Sequence, residues 1–179
     1  FSLFAARLMR DTGTVLCVEP EPANVGWIER SVARNHYRSV EVLQLALADR
    51  SGTATLHLGE KSGWHSLVKH DQVLSTGELT VPTATLDDVL TERGLERVDA
   101  IKIDVEGAEN QVLDGAVRTF EGTHRMTVLL DLHPRRGVDP IATCARLQDW
   151  GFTLCDPDDV HRPLASPVTA ETRSVLATR

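Results

Sequence analysis

Short apolar segments of strand length alternate with longer amphipathic segments along most of the chain, and this alternation constrains the fold more than any other feature. Four segments rich in Val, Ile and Leu are typical of strands buried on both faces: residues 14–18, 40–47, 98–103 and 126–132. Apolar spacing and capping residues predict helices over residues 1–8, 22–35, 86–93, 108–120 and 140–150. Because neighbouring parallel strands need a crossover between them, usually a helix, this order predicts an α/β fold with a doubly wound, mostly parallel, Rossmann-like sheet.

A smaller antiparallel piece interrupts the alternation. Turn residues at 49–52 precede an alternating strand over 53–58, and residues 79–81 could extend this piece. Residues 59–77 lack clear periodicity and carry Gly, Ser, His and Trp, which is typical of a long functional or mobile loop, so this segment could act as a lid. Two further short strands are predicted near the C-terminus, over residues 152–155 and 174–177.

The composition suits one globular domain spanning all 179 residues. Hydrophobic residues make up 41% of the chain but aromatic residues only 4%, so aliphatic side chains must fill the core, as in parallel sheets covered by helices. Acidic residues outnumber basic ones by 26 to 19 and no basic run could follow a phosphate backbone, so nucleic acid is not an expected partner. No apolar stretch approaches the roughly 20 residues needed to span a bilayer, so we expect no membrane contact.

The cysteines bear on the compartment. Cys17, Cys144 and Cys155 are odd in number and form no C-x-x-C pair, so we expect neither a disulfide framework nor a zinc site. This cysteine usage fits a reducing cytoplasm, and we expect the protein to be cytoplasmic. The sequence leaves homo-oligomerisation open.

Polar side chains follow the predicted strands at their carboxyl ends, where doubly wound sheets bind their ligands. They are Glu19, Asp49, Asp104, Glu106, Asp131 and His133. Glu19 is placed to accept hydrogen bonds from a ribose diol, although a solvated loop glutamate would occupy the same position. Asp49 could receive an adenine amino group, but opening the tight turn at 49–52 is the better interpretation of that residue alone.

Residues 101–109, IKIDVEGAE, place three carboxylates between a buried strand and a helix. Gly107 allows a sharp turn and a close approach of a ligand to the backbone. Asp104 and Glu106 would point in opposite directions if the strand persisted, so they need not form one dyad. Glu109 could do no more than complement the helix dipole.

His133 ends the next strand along the chain and could approach Asp104 across the edge of the sheet. Its chemistry suits a base or a metal ligand, while a lone histidine is more often packed or simply hydrogen-bonded. The carboxylates and His133 could hold a divalent cation, but no ligand spacing is diagnostic, so we expect no metal. In the long loop, Trp64, His65 and Ser66 could cover a substrate, contact the charged end of a cofactor, or face a partner.

Several strings taken together point to one known family: VLCVEPEPANVGWIERSVARN, VEVLQLALADRSGTATLHL, TLDDVL, IKIDVEGAENQVLDGA and LLDLHP. From its first residue to the LLDLHP string, the chain resembles the FkbM family of S-adenosylmethionine-dependent methyltransferases. The resemblance implies a class I methyltransferase sheet in which Glu19 binds the ribose of the cofactor and the adjoining Pro20 belongs to the same cofactor site. It also implies that Ala48 and Asp49 line the adenine, and that Asp104 lies near the methionine moiety or the acceptor.

The same resemblance implies an O-methyltransferase that acts on a hydroxyl of a sugar, natural product or similar small molecule. Methyl transfer from a sulfonium needs in-line positioning, and an alcohol acceptor also needs a base. The base candidates, in order of chemical suitability, are His133, Asp104 and Glu106. Two alternatives stay open: a degenerate domain kept as a binding module, and a nicotinamide-dependent oxidoreductase, for which no G-x-G-x-x-G is present.

In the FkbM family, a first strand and a glycine-rich turn come immediately before the helix that begins here at Phe1, and this chain contains neither. The strand would lie between the strands that end at Glu19 and Asp104, so its omission would expose two apolar edges. We therefore expect a single methyltransferase domain over 1–179 that lacks its first strand. An N-terminally truncated enzyme is the favoured interpretation; a strand from another chain, or an inactive product, are the alternatives.

Overall fold

The computed structural model describes residues 1–10, 12–69, 75–122, 124–157, 159–164 and 167–179, with residues 159–162 as backbone alone. The helices are α1 (Ser2–Met9), α2 (Pro22–Arg34), α3 (Leu86–Glu92), α4 (Glu109–Asp114), α5 (Val117–Glu121) and α6 (Pro140–Asp149), and a 3-10 turn covers Pro134–Arg136. The strands are β1 (Val15–Val18), β2 (Val40–Leu43), β3 (Ala46–Leu47), β4 (Gly52–Gly59), β5 (Ser75–Ala84), β6 (Ala100–Ile103), β7 (Thr127–Asp131), β8 (Thr153–Asp156), β9 (Asp159–Pro163) and β10 (Ser174–Thr178).

In the described residues the strands form three sheets, ordered β1-β2, β6-β7-β10-β8-β9 and β3-β5-β4. β1 and β2 are parallel, as are β6 and β7, and each of these pairs is linked through helices. β10 lies antiparallel between β7 and β8, and β9 pairs antiparallel with β8, so the largest sheet is mixed. The predicted α/β fold is confirmed, with the parallel strands extended by antiparallel ones.

Local sequence signals explain several helix starts. The Thr85 hydroxyl oxygen accepts a hydrogen bond from the Asp88 N–H at the start of α3, and Asp139 caps α6 in the same way. Pro22 and Pro140 occupy the first turns of α2 and α6, where the missing N–H costs no intrahelical hydrogen bond. None of the described helices is long and apolar enough to cross a membrane.

The main hydrophobic core lies between the five-stranded sheet and helices α3 to α6. Aliphatic side chains fill most of this core, as the low aromatic content predicts, and Phe120 stacks on Trp150 with ring centroids 5.1 Å apart. Fully buried members include Leu113, Phe120, Leu130, Leu147 and Val175. A smaller cluster of Ala46, Leu56 and Val81 packs beneath the β4–β5 hairpin. The core therefore supports β6 and β7, whose carboxyl ends carry the candidate site.

Two predicted elements are divided in the structure. The strand predicted over 40–47 is wrong as a single element, because the Leu45 N–H bonds to the Leu43 carbonyl and separates β2 from β3. β3 then pairs with β5 instead of β1. The helix predicted over 108–120 is also wrong as a single element, because it breaks at Gly115.

The structure also has more strand than predicted. β5 begins at Ser75, inside the 59–77 segment predicted as a loop, and pairs with β4 over its length. β9 had no alternating apolar pattern to reveal it. The 70–74 part of the predicted lid lies outside the described residues. Between the described strands no ladder joins β1 to β6, and the expectation of a further strand between them stays a prediction.

Gly115 explains the break between α4 and α5. A Cβ at this position would lie 2.0 Å from the Ala48 carbonyl oxygen and 3.2 Å from the Thr85 Cα, so only glycine allows the backbones to approach this closely. The Gly115 carbonyl also accepts a hydrogen bond from the Asp87 N–H. The helix ends here because three backbone segments meet at one point.

We expect Gly115→Ala to lower the free energy of unfolding by about 1–3 kcal/mol or more, because the added methyl meets rigid backbone and not a movable side-chain end. Urea unfolding followed by circular dichroism measures the change. Gly63→Ala is the matched control, since a Cβ there has no neighbour within 4 Å. Equal stability of the two variants would contradict the close approach at Gly115.

Candidate active site

The carboxyl ends of β6 and β7 bring together a basic residue and two acids. Lys102 Nζ donates to Asp104 Oδ2 at 3.0 Å and to Asp131 Oδ2 at 2.5 Å. Burial, the largest single cause, would raise the pKa of Asp131, but the hydrogen bonds from Lys102 and Ser174 and the nearby positive charges together outweigh it, so the pKa lies below its usual value. Burial, the largest single cause, would lower the pKa of Lys102, but its two carboxylate partners together raise the pKa above its usual value. Lys102 is therefore a fixed cation that neutralises part of the acidic edge.

His133 lies at the centre of a second group of carboxylates. One of them is Asp104, which the sequence predicted His133 to approach. Its Nδ1 is 2.5 Å from Glu109 Oε1, while its Nε2 lies 3.7 Å from Asp104 Oδ1 and 3.6 Å from Glu106 Oε2. The hydrogen bond with Glu109, more than any other cause, raises the pKa of His133 above its usual value. The three base candidates thus lie together on one edge.

Glu106 reaches His133 because the backbone turns sharply after β6. Glu106 has φ 54° and Gly107 has φ 107°, both in the left-handed region. The strand ends at Ile103, so the opposite orientation expected of Asp104 and Glu106 in a continued strand does not arise. Arg136 Nη2 contacts Glu106 Oε2 at 2.9 Å. Burial is the main cause that raises the pKa of Glu106; the acids Asp104 and Glu109 add to it, while His133 and Arg136 act in the opposite direction.

Glu109 has a role that sequence reasoning missed. Its side chain is 0% exposed, and Oε1 accepts hydrogen bonds from the Gly107 N–H and from His133 Nδ1. The helix-dipole interpretation of Glu109 does not account for these contacts. One signal could have found them: Glu109 shares the inward face of its helix with Val112 and Leu113, where an unpaired glutamate would be costly.

The predicted cofactor residues lie on other strand ends. Glu19 follows β1 and is half-buried, with Oε1 accepting a hydrogen bond from the Glu21 N–H at 2.9 Å; Pro20 lies between the two. Burial is the main cause that raises the pKa of Glu19. Ala48 is buried, while Asp49 is exposed beside Arg50 at the start of the predicted turn. Contacts of these residues with a ribose or adenine stay predictions.

The segment of residues 59–69 lies between these two groups of residues. The Asn24 side chain in α2 donates to the Ser62 carbonyl at 3.0 Å. The Ser66 hydroxyl donates to the Glu106 carbonyl at 2.7 Å, and Ser66 is 2% exposed. Ser66 therefore supports the backbone at Glu106. Trp64, another of the predicted loop residues, is 41% exposed.

Among the described residues, Asp104, Glu106 and His133 form a group whose donor atoms lie within 4.8 Å of one another, a spacing that would suit a divalent cation. Lys102 and Arg136 already neutralise two of these carboxylates. We therefore assign no metal to the group, and the expectation of a metal-free site stays a prediction.

The geometry of His133 determines what the group can do. A neutral imidazole carries one N–H, and the Glu109 carboxylate, which only accepts hydrogen bonds, places that hydrogen on Nδ1. The lone pair of Nε2 is then on the side of Asp104 and Glu106, whose carboxylate oxygens lie 3.7 and 3.6 Å from that nitrogen. A hydroxyl that bound beside Nε2 would meet a proton acceptor of fixed orientation.

Comparison with known proteins identifies the family of the chain. The family model for the methyltransferase FkbM domain matches residues 1–154. The chain belongs to the FkbM methyltransferase family. An FkbM methyltransferase crystal structure from Methylobacillus flagellatus is similar in fold, with a TM-score of 0.63 and 15% identity over 99% of this chain and 40% of that one.

Curated methyltransferases are similar in sequence to this FkbM chain. The 2-O-methyltransferase NoeI of Sinorhizobium fredii is 28% identical over 64% of this chain and 52% of its own length. Methyltransferase sdnD of Sordaria araneosa is 31% identical over 86% of this chain and 70% of its own, and methyltransferase 1 of Beauveria bassiana is 30% identical over 64% and 53%. The chain spans about half the length of the first and third of these relatives. The predicted family and fold are confirmed.

Proposed function

We propose that this chain carries the catalytic site of an S-adenosylmethionine-dependent O-methyltransferase, which methylates a hydroxyl of a sugar, natural product or similar small molecule. The observation that carries the proposal is the fixed orientation of His133, with Nδ1 on buried Glu109 and Nε2 directed towards Asp104 and Glu106. The name of one relative, a 2-O-methyltransferase, supports transfer to oxygen.

The residues at the end of β1 fit the cofactor. The Glu21 N–H holds the half-buried Glu19 carboxylate in one orientation, and an oriented carboxylate can accept hydrogen bonds from both hydroxyls of a ribose. Pro20, Ala48 and Asp49 would line the nucleoside, and Asp104 would lie towards the reacting end. S-Adenosylmethionine, when bound, supplies a methyl group on a positively charged sulfur.

The role of the acidic edge is to position the hydroxyl and remove its proton. S-Adenosylmethionine would supply the methyl group to the hydroxyl oxygen, and His133 Nε2 would accept the hydroxyl proton. The carboxylates of Glu109, Asp104 and Glu106 stabilise the resulting imidazolium. Asp104 is a weaker candidate for the base because Lys102 pairs with its carboxylate, and Glu106 is weaker because Arg136 contacts the same oxygen, Oε2, that faces His133.

Glu19→Ala is expected to weaken binding of S-adenosylhomocysteine by about 1–3 kcal/mol, because a charged acceptor for the ribose hydroxyls is lost. Isothermal titration calorimetry measures the affinity without turnover. Glu29→Ala, an exposed glutamate on α2, is the matched control and should bind normally. Unchanged affinity of Glu19→Ala would remove Glu19 from the cofactor site, and cofactor binding without methylation of any hydroxyl acceptor would favour the binding-module alternative.

A further inference from the structure

The segment of residues 59–69 bridges the two halves of the candidate site. Asn24, in the first turn of α2, holds it at the Ser62 carbonyl, and the Ser66 hydroxyl holds it at the Glu106 carbonyl. Because four residues span at most about 14 Å, the two anchored ends lie within that distance of each other. The chain between Ser62 and Ser66 therefore crosses from the Glu19 side to the Glu106 side. Ser66 also accepts a hydrogen bond from the Val68 N–H at 3.0 Å, which stabilises this crossing.

His65 lies within this crossing and its ring is oriented by the backbone. The Gly59 N–H donates to His65 Nδ1 at 3.1 Å. In a neutral imidazole the nitrogen that accepts a hydrogen bond has no hydrogen of its own, so the N–H is on Nε2. Asn24, which anchors the segment at Ser62, lies in the first turn of the helix that starts directly after Glu19 and Glu21, so the segment that carries His65 reaches the Glu19 side of the site.

Gly59 keeps this arrangement compact. A Cβ at Gly59 would lie 2.7 Å from both the Trp64 Cβ and the Trp64 carbonyl oxygen. The backbone of the segment therefore folds back on β4 at the residue before His65. The His65 ring, with its donor on Nε2, is thus oriented by a hydrogen bond and by close packing within a segment that Asn24 anchors to the start of α2.

We propose that His65 is a further cofactor-binding residue, which donates a hydrogen bond from Nε2 to a ribose hydroxyl oxygen while Glu19 accepts from the same diol. This inference rests on the proposed function. A ribose hydroxyl both donates and accepts, so a carboxylate and an imidazole N–H satisfy it together. The 59–69 segment would then connect recognition of the nucleoside to the position of Glu106.

Two substitutions separate binding from a purely structural role. His65→Asn keeps an acceptor for the Gly59 N–H but removes the Nε2 donor, while His65→Ala removes both. We expect each to weaken S-adenosylhomocysteine about 3- to 10-fold, as for the loss of one neutral hydrogen bond. His57→Ala is the control, because its ring pairs with Glu78 on the same hairpin, and it should bind like wild type. Normal binding by His65→Asn would overturn the inference.

A second ligand tests the ribose assignment. 5′-Methylthioadenosine has the nucleoside but lacks the amino-acid end, so His65→Asn should weaken it by the same factor as S-adenosylhomocysteine. A loss confined to S-adenosylhomocysteine would place His65 at the amino-acid end and overturn the ribose assignment. If wild type bound neither ligand, the proposed function would fail and the inference with it; binding by wild type and equally by His65→Asn would overturn the inference alone.

Discussion

His133→Ala is expected to lower kcat by about a hundredfold or more and to leave the affinity for S-adenosylhomocysteine unchanged, because it removes the proton acceptor and no proposed cofactor contact. Steady-state kinetics with a hydroxyl acceptor that the wild type methylates measures kcat, and calorimetry measures the affinity for S-adenosylhomocysteine. Since the substitution also leaves Glu109 buried without its partner, thermal unfolding must show that the variant is folded at the assay temperature.

Comparison with Asp104→Asn distinguishes the base from its neighbour. Asp104 is paired with Lys102, so its neutralisation should cost less than the loss of His133. His57→Ala, on the β4–β5 hairpin, is the matched histidine control. Near-normal kcat in His133→Ala with a hundredfold loss in Asp104→Asn would make Asp104 the base.

Loss of activity in EDTA, restored by a divalent cation, would contradict the metal-free site.

Features that depend on a few neighbouring residues could be predicted from the sequence. Thr85 and Asp139 cap the helices that follow them, and Pro22 begins α2, because capping is local chemistry. The strand ends at Glu19 and Asp104 were also predictable, because apolar runs stop there. Each of these signals lies within a few residues of the feature it determines.

Features that depend on distant contacts could not be predicted in this way. Gly115 breaks a segment whose apolar spacing predicts one helix, because the Ala48 carbonyl occupies the space that a side chain would need. Arg136 joins the site through the fold and not through any local pattern, and for Glu109 the helical spacing indicates burial but not the partner, His133. The sequence placed His133 near Asp104 from the order of the strands, but which of its nitrogens faces the acceptor depends on Glu109.

Glu109 should act on the reaction only through His133, and its pH dependence can show this. Protonation of His133 removes the lone pair of Nε2, so kcat should fall as the pH falls through a pKa that Glu109 holds above the usual value of 6.5. Glu109→Gln still accepts a hydrogen bond but lacks the charge, so the pKa of His133 falls and the acidic limb moves to lower pH. The plateau of kcat should also fall, by about a hundredfold, because the imidazolium is less stabilised.

Asp114→Asn is the matched control for this substitution, because it neutralises an exposed acid at the other end of α4 that pairs with Arg146. Its pH profile should match that of wild type. In the double variant His133→Ala, Glu109→Gln, kcat should equal that of His133→Ala alone, since a positioning residue has no effect once its target is gone. A limb that stays in place in Glu109→Gln, or a further loss in the double variant, would show that Glu109 acts by another route.

The same pKa shift predicts how the stability of the fold depends on pH. Because the folded-state pKa of His133 is raised, its protonation stabilises the folded chain fully below the unfolded value of 6.5, and this contribution disappears as the pH rises through the folded pKa. The difference in unfolding free energy between wild type and Glu109→Gln should therefore be largest at acidic pH and shrink above the limb of the kcat profile. Agreement between the kinetic limb and this stability transition would assign both to one proton on His133.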